Sequence, residues 1–137
     1  MSFLTALLPD APGLLPKWQF FVSTLAFFNT AQNLVTVALT RRIYSRSPNE
    51  VTALQSRTFA VWTWISAVIR LTCAYHIHNK AIYDVTMWSY VGALVHFASE
   101  WLLFRTADFG SGLLGPLIVA PLSLAWMWTQ YDFYVKA

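Results

Sequence analysis

Charge is scarce in this chain of 137 residues: Asp, Glu, Lys and Arg together make up 11%, about half the share of a soluble domain. That shortage points to lipid rather than water as the surrounding medium. The formal net charge of +3 is too small to argue for nucleic acid. A single cysteine, Cys73, excludes an internal disulfide, and its apolar neighbours mark it as a small packing group. Three histidines are too few for a di-iron membrane oxidase site. No Asn-x-Ser/Thr acceptor occurs, so glycosylation offers no guide to topology. No nucleophile–base pair and no phosphate loop is visible. Gly110, Gly112 and Gly115 formally match G-x-G-x-x-G, but they stand between two apolar runs instead of between a strand and a soluble helix.

Hydrophobic residues make up 57% of the chain. They gather into four runs, about 18–39, 58–75, 84–104 and 113–131. Each is near the roughly twenty residues needed to cross a bilayer. The reading is an all-α membrane protein: a four-transmembrane-helix bundle with short loops over 17–134, an N-terminal tail at 1–16 and a C-terminal tail at 135–137. The first run is too long and too polar, with Asn29, Gln32 and Asn33, for a cleaved leader, and is taken as a retained span. The N-terminal tail holds three prolines, Pro9, Pro12 and Pro16, which exclude a long helix. Its leucines leave two readings, a surface-lying segment or a loose tail. Pro121 should kink the fourth run.

The polar groups inside these runs fall on stripes. Ala26, Asn29, Asn33, Thr36 and Thr40 recur at three and four spacing, and amides there favour bonds to neighbouring helices. Thr63, Ala67, Arg70 and Ala74 line one side of the second run. Arg70 either snorkels to the interface or contacts another helix. Ser89, Gly92, Ala93, His96 and Glu100 form a third stripe. Depth counting brings Arg57 level with Glu100 and predicts an ion pair between them, with Arg105 as competitor. Together Asn29, Gln32, Asn33, Arg57, Arg70, His96 and Glu100 make the expected intramembrane polar network, with a structural role. His96 and Glu100 alone supply two ligands, and His76 and His78 lie at the other membrane face, so no metal or cofactor is expected.

Arg41, Arg42, Arg46, Arg57 and Arg105 collect on one side, against Lys17, Lys80 and Lys136 on the other. The positive-inside rule then puts the first and third loops in the cytosol. Arg41, Arg42, Arg46 and Arg105 are the expected docking groups for partners or anionic headgroups. Trp62, Trp64, Phe97 and Trp101 are the expected outward aromatics.

Several fragments, in order, carry a resemblance. They are Pro16-Lys17-Trp18, Phe28-Asn29 with Gln32-Asn33, Leu39-Thr40-Arg41-Arg42 with Tyr44, and Arg57-Thr58-Phe59 with Trp62-Thr63. Arg70-Leu71 with Ala74-Tyr75, His96-Phe97 with Ser99-Glu100-Trp101, Phe104-Arg105-Thr106, and Trp126-Met127-Trp128 with Gln130-Tyr131 follow. Over about 15–134 the chain resembles the ergosterol biosynthetic protein 28 family, its fungal members most. The resemblance implies a non-catalytic, multi-pass protein of the endoplasmic-reticulum membrane. It implies a scaffold for the sterol C-4 methyl oxidase, the sterol C-3 dehydrogenase/C-4 decarboxylase and the 3-keto-sterol reductase, and a homodimer. It brings no catalytic residues with it. The alternative is a sterol-binding or sterol-presenting protein, with its pocket between the third and fourth spans near Pro121. Two stretches fit the loose sterol-contact pattern, Leu39 with Tyr44 and Arg46, and Leu71 with Tyr75 and Lys80, but that pattern matches by chance often.

Overall fold

Four long helices carry the computed structural model, which describes residues 2–135. They are α2 (Leu15–Val35), α4 (Ala53–Tyr75), α5 (Lys80–Leu102) and α6 (Ser111–Thr129). Short helices α1 (Phe3–Leu7), α3 (Ala38–Ile43) and α7 (Tyr131–Val135) join or flank them, with one 3₁₀ turn at Pro48–Glu50. The described residues are helix and loop throughout. Lys136 and Ala137, most of the expected C-terminal tail, lie outside the described residues. One helix among the described residues, over Gly112–Thr129, is long and apolar enough to cross a membrane by length and composition. The others have comparable length, but polar side chains dilute their sequences.

Local signals place the helix starts. Thr52 caps α4 by accepting from the Gln55 N–H at 3.1 Å, and Asn79 caps α5 by accepting from the Ile82 N–H at 3.1 Å. Pro16 stands in the first turn of α2, where its missing N–H costs little. Pro116 and Pro121 both lie inside α6.

α2 and α4 pack along most of their length, from Ser56 beside Asn33 at one end to Phe20 against Tyr75, 6.2 Å between ring centres, at the other. Small side chains allow it: Ser23, Ala26 and Thr30 on α2 are buried, as are Ser56, Ala60, Ala67 and Ala74 on α4. α5 packs chiefly on α6 and then on α4, so the long helices form two sequence-adjacent pairs.

The first run is not one helix over 18–39. α2 ends at Val35, Thr36 is extended (φ −148°, ψ 149°), and α3 restarts at Ala38. Three of the four residues 34–37 are β-branched, which weakens the helix there. Two of the carbonyls freed by the break, those of Asn33 and Thr36, accept from the Ser56 hydroxyl at 2.8 and 3.3 Å. The break swings α3 onto the start of α6, where a Cβ on Gly112 would stand 2.6 Å from the Arg42 carbonyl oxygen. The third glycine of that trio behaves differently, since a Cβ on Gly115 meets nothing within 4 Å. Gly112→Ala should therefore force α3 from α6 and cost about 1–3 kcal/mol. Gly115→Ala should be neutral or stabilising by about 0.5–1 kcal/mol. Thermal unfolding of both variants in one detergent checks the contrast.

Candidate functional site

The polar groups of the bundle form three clusters. The first lies on the α2–α4 seam, around the break. The buried Thr40 hydroxyl donates to the Asn33 side-chain oxygen at 2.8 Å and lies 3.1 Å from the Ser56 hydroxyl. One helical turn deeper, Thr30 and Thr63 pair at 2.8 Å. Asn33 therefore sits in the interhelical network, although its Nδ2 has no partner. Asn29 is exposed and Gln32 half-buried, and neither takes part in these bonds among the described residues.

The second cluster holds His96. Its Nε2 is 2.6 Å from the Tyr44 hydroxyl, and its ring stands edge-on to Trp62, 5.2 Å between centres. Phe59 and Phe97 close the cage, 6.3 Å apart. Tyr44 lies in the loop after α3 and is buried. Burial, and then the nearby Glu100 carboxylate, push its phenol well above the ordinary tyrosine range. Glu100 does not pair with Arg57. Its carboxylate accepts from the Thr106 hydroxyl, and its carbonyl accepts from the N–H groups of Thr106 and Ala107 at 2.9 and 3.2 Å. The chain turns sharply after α5, with Arg105 at φ 58°, and brings Thr106 back onto the last turn. That local partner satisfies the carboxylate within its own turn. Arg57 follows Ser56, which faces α2, and so points outward and is exposed. Arg105, the expected competitor, is exposed too.

The third cluster surrounds Arg70, which is 8% exposed. It contacts α5 and does not snorkel. Its Nε donates to the Ser89 hydroxyl at 3.3 Å, and its guanidinium lies 4.1 Å above the Tyr90 ring. The Tyr90 hydroxyl donates to the Gln19 side-chain oxygen at 2.6 Å, while Gln19 Nε2 has no partner. Trp18 donates to the Ser123 hydroxyl at 2.8 Å, tying α2 to α6.

The stripe expected on α5 is rotated from the buried one. Tyr83, Thr86, Tyr90, Ala93 and Phe97 are buried, whereas Gly92 is exposed and His96 and Glu100 are only partly covered. The buried tyrosines keep their hydroxyls bonded, Tyr83 donating to the Met127 carbonyl at 2.6 Å. Of the expected outward aromatics, Trp64 is exposed, Phe97 is buried, and Trp62 and Trp101 are partly buried. At the basic end, Arg41 donates to the Val51 carbonyl at 3.3 Å and Arg46 pairs with Asp108 at 2.8 Å. Arg42 remains exposed. At the opposite end, His78 Nδ1 lies 2.8 Å from the Tyr134 carbonyl. Among the described residues, no group of three His, Cys, Asp or Glu side chains is placed to hold a metal.

Apolar side chains cover the outside and polar ones bond within, which defines a helical, membrane-associated protein. The family model described as "Erg28 like protein" matches residues 15–125, and the chain belongs to that family. It is 43% identical to ergosterol biosynthetic protein 28 of Candida albicans, covering 99% of each chain. It is 49% identical to the Schizosaccharomyces pombe protein of that name, over 93% of this chain and 91% of the relative. The human homolog is 43% identical over 84% of this chain and 83% of its own. No solved structure matches.

Two substitutions separate the clusters. Ser56→Ala strips the donor from two carbonyls at the break and should cost about 1–3 kcal/mol, read as a lower melting temperature. Tyr44→Phe removes the hydroxyl from His96 and should cost a similar amount. Because the folded phenol resists ionisation and the unfolded one does not, its contribution is complete below about pH 10 and falls as pH rises past that value. Unfolding curves from neutral to alkaline pH should show this loss in the parent chain and a smaller one in Tyr44→Phe.

Proposed function

We propose that this chain is a four-span scaffold of the endoplasmic-reticulum membrane that holds the enzymes of sterol C-4 demethylation beside one another. The observation that carries the reading is the division of labour among its side chains. Interior polar groups bond to one another, and large apolar groups such as Phe28, Trp64, Trp88 and Trp128 (62, 52, 71 and 75% exposed) face outward. A scaffold needs such a surface and no reaction centre. α2, α4, α5 and α6 have 21, 23, 23 and 19 residues, or about 28–35 Å at 1.5 Å per residue. That range suits a bilayer core. Membership of a family whose relatives are named for ergosterol biosynthesis supports the pathway.

The partners are the sterol C-4 methyl oxidase, the sterol C-3 dehydrogenase/C-4 decarboxylase and the 3-keto-sterol reductase, with a second copy of this chain. Holding them on one platform raises the concentration of each enzyme near the next. Arg42, Arg57 and Arg105 are exposed at one end of the bundle, where they meet cytosolic partner surfaces or anionic headgroups.

A second reading, direct sterol binding, rests on one groove. Between α5 and α6, about 1030 Å³ is walled by Met87, Trp88, Val91 and Leu94 opposite Pro121 and Leu124, with Asp84 and Asp132 also lining it. Mild-detergent affinity purification from the native membrane, with mass spectrometry of proteins and lipids, decides between the two. The scaffold reading expects all three enzymes in near-stoichiometric amounts, and their loss when Arg42 and Arg105 are both reversed to Glu. Recovery of this chain alone, carrying sterol, would replace it with the sterol-binding reading.

A further inference from the structure

A second cavity, about 330 Å³, lies among the four long helices and opens past exposed residues such as Leu25, Asn29 and Gly115. α2, α4, α5 and α6 wall it, through residues such as Val22, Phe59, Ala93 and Val119, and α3 contributes Ile43. Its walls are largely apolar, with Asn29, Thr63, Ser66, Tyr90 and two arginines among them, Arg42 exposed and Arg70 buried. Arg70 lines it, is nine-tenths buried, and has no carboxylate partner among the described residues, where the ion pairs are Arg46–Asp108 and Lys80–Asp84. Its Nε is bonded to Ser89, and its flat face is stacked on Tyr90. No hydrogen bond is made by its two terminal nitrogens among the described residues. Gln19 Nε2, on the amide that accepts from Tyr90, is a further buried donor without an acceptor. Donors thus outnumber acceptors at this level of the bundle.

A buried guanidinium is costly unless an anion accompanies it. Its planar fork matches a carboxylate, which it binds through two parallel N–H bonds. We propose that this cavity binds an amphipathic lipid acid, with a single carboxylate on Arg70 and a slim apolar body along the walls towards Gly112. One guanidinium neutralises one carboxylate. A phosphate diester with two acyl chains exceeds a cavity at the small end of ligand pockets. The inference does not depend on the scaffold reading, since it concerns a cavity among the helices and not the partner surfaces.

Dodecanoate and the matched neutral dodecan-1-ol are suitable probes. Both are titrated into the full chain in phosphatidylcholine nanodiscs, with empty nanodiscs correcting for partition. The expected result is saturable binding of one dodecanoate per chain, about tenfold or more tighter than dodecan-1-ol. Arg70→Gln should erase that preference. Gly115→Phe should block the acid while leaving Arg70 intact, because Gly115 lines the cavity and an added Cβ there meets no atom within 4 Å. If Arg70→Gln does not fold, Arg70→Lys takes its place, with a reduced but persistent preference expected. Equal binding of acid and alcohol, or unchanged acid binding in Gly115→Phe, would overturn the proposal.

Discussion

The hydroxyl of Ser56, set against the carbonyls of Asn33 and Thr36, is the contact on which the arrangement of this bundle turns. A broken helix leaves carbonyls without intrahelical donors, and a buried one needs a donor from elsewhere in the protein. Ser56 supplies one from the adjacent helix. The break can then persist, α3 leaves the line of α2, and Tyr44 is carried to His96. The close approach at Gly112 follows from the same turn. Without that donor, the break would leave both carbonyls unpaired.

Several polar groups of α5 take partners close to them in sequence. Glu100 takes a threonine six residues along in preference to an arginine on another helix. Thr86 donates to the Ile82 carbonyl of its own helix at 2.7 Å. Short hydroxyls cross between helices on the tight α2–α4 seam, and tyrosines such as Tyr44, Tyr83 and Tyr90 make other long-range bonds. These tyrosines bury their rings and still bond their hydroxyls, which makes them economical links between helices in an apolar medium.

Part of the first helix pair was legible in the sequence. Of the stripe Ala26, Asn29, Asn33, Thr36 and Thr40, the residues Ala26, Asn33 and Thr40 are buried while Asn29 and Thr36 are exposed, and of Thr63, Ala67, Arg70 and Ala74 the arginine turns to α5. Two things were hidden. Neither proline nor glycine marks the break at Thr36; the β-branched residues among 34–37 weaken the helix there, and a hydroxyl twenty residues away takes up a freed carbonyl. On α5, the ionisable His96 and Glu100 suggest one face, whereas Tyr83, Tyr90 and Phe97 occupy the buried one. Tyrosine reads equally well as a membrane-interface residue or as a core residue, so only the fold separates the two. Glu100 and Arg57 show a related limit: counting residues gives depth along a helix but not the direction in which a side chain points.

The pairing of neighbours in sequence, α2 with α4 and α5 with α6, also bears on how the chain is made. A ribosome delivers the first pair complete before the second has emerged. The bonds among Asn33, Thr40 and Ser56 close within that early hairpin and need nothing from the rest of the chain. Arg70 belongs to the early hairpin as well, yet its contacts, Ser89 and Tyr90, arrive with the late one. Its Nε and its flat face therefore find these partners only once the second hairpin is present. These contacts favour docking of the late hairpin on the early one.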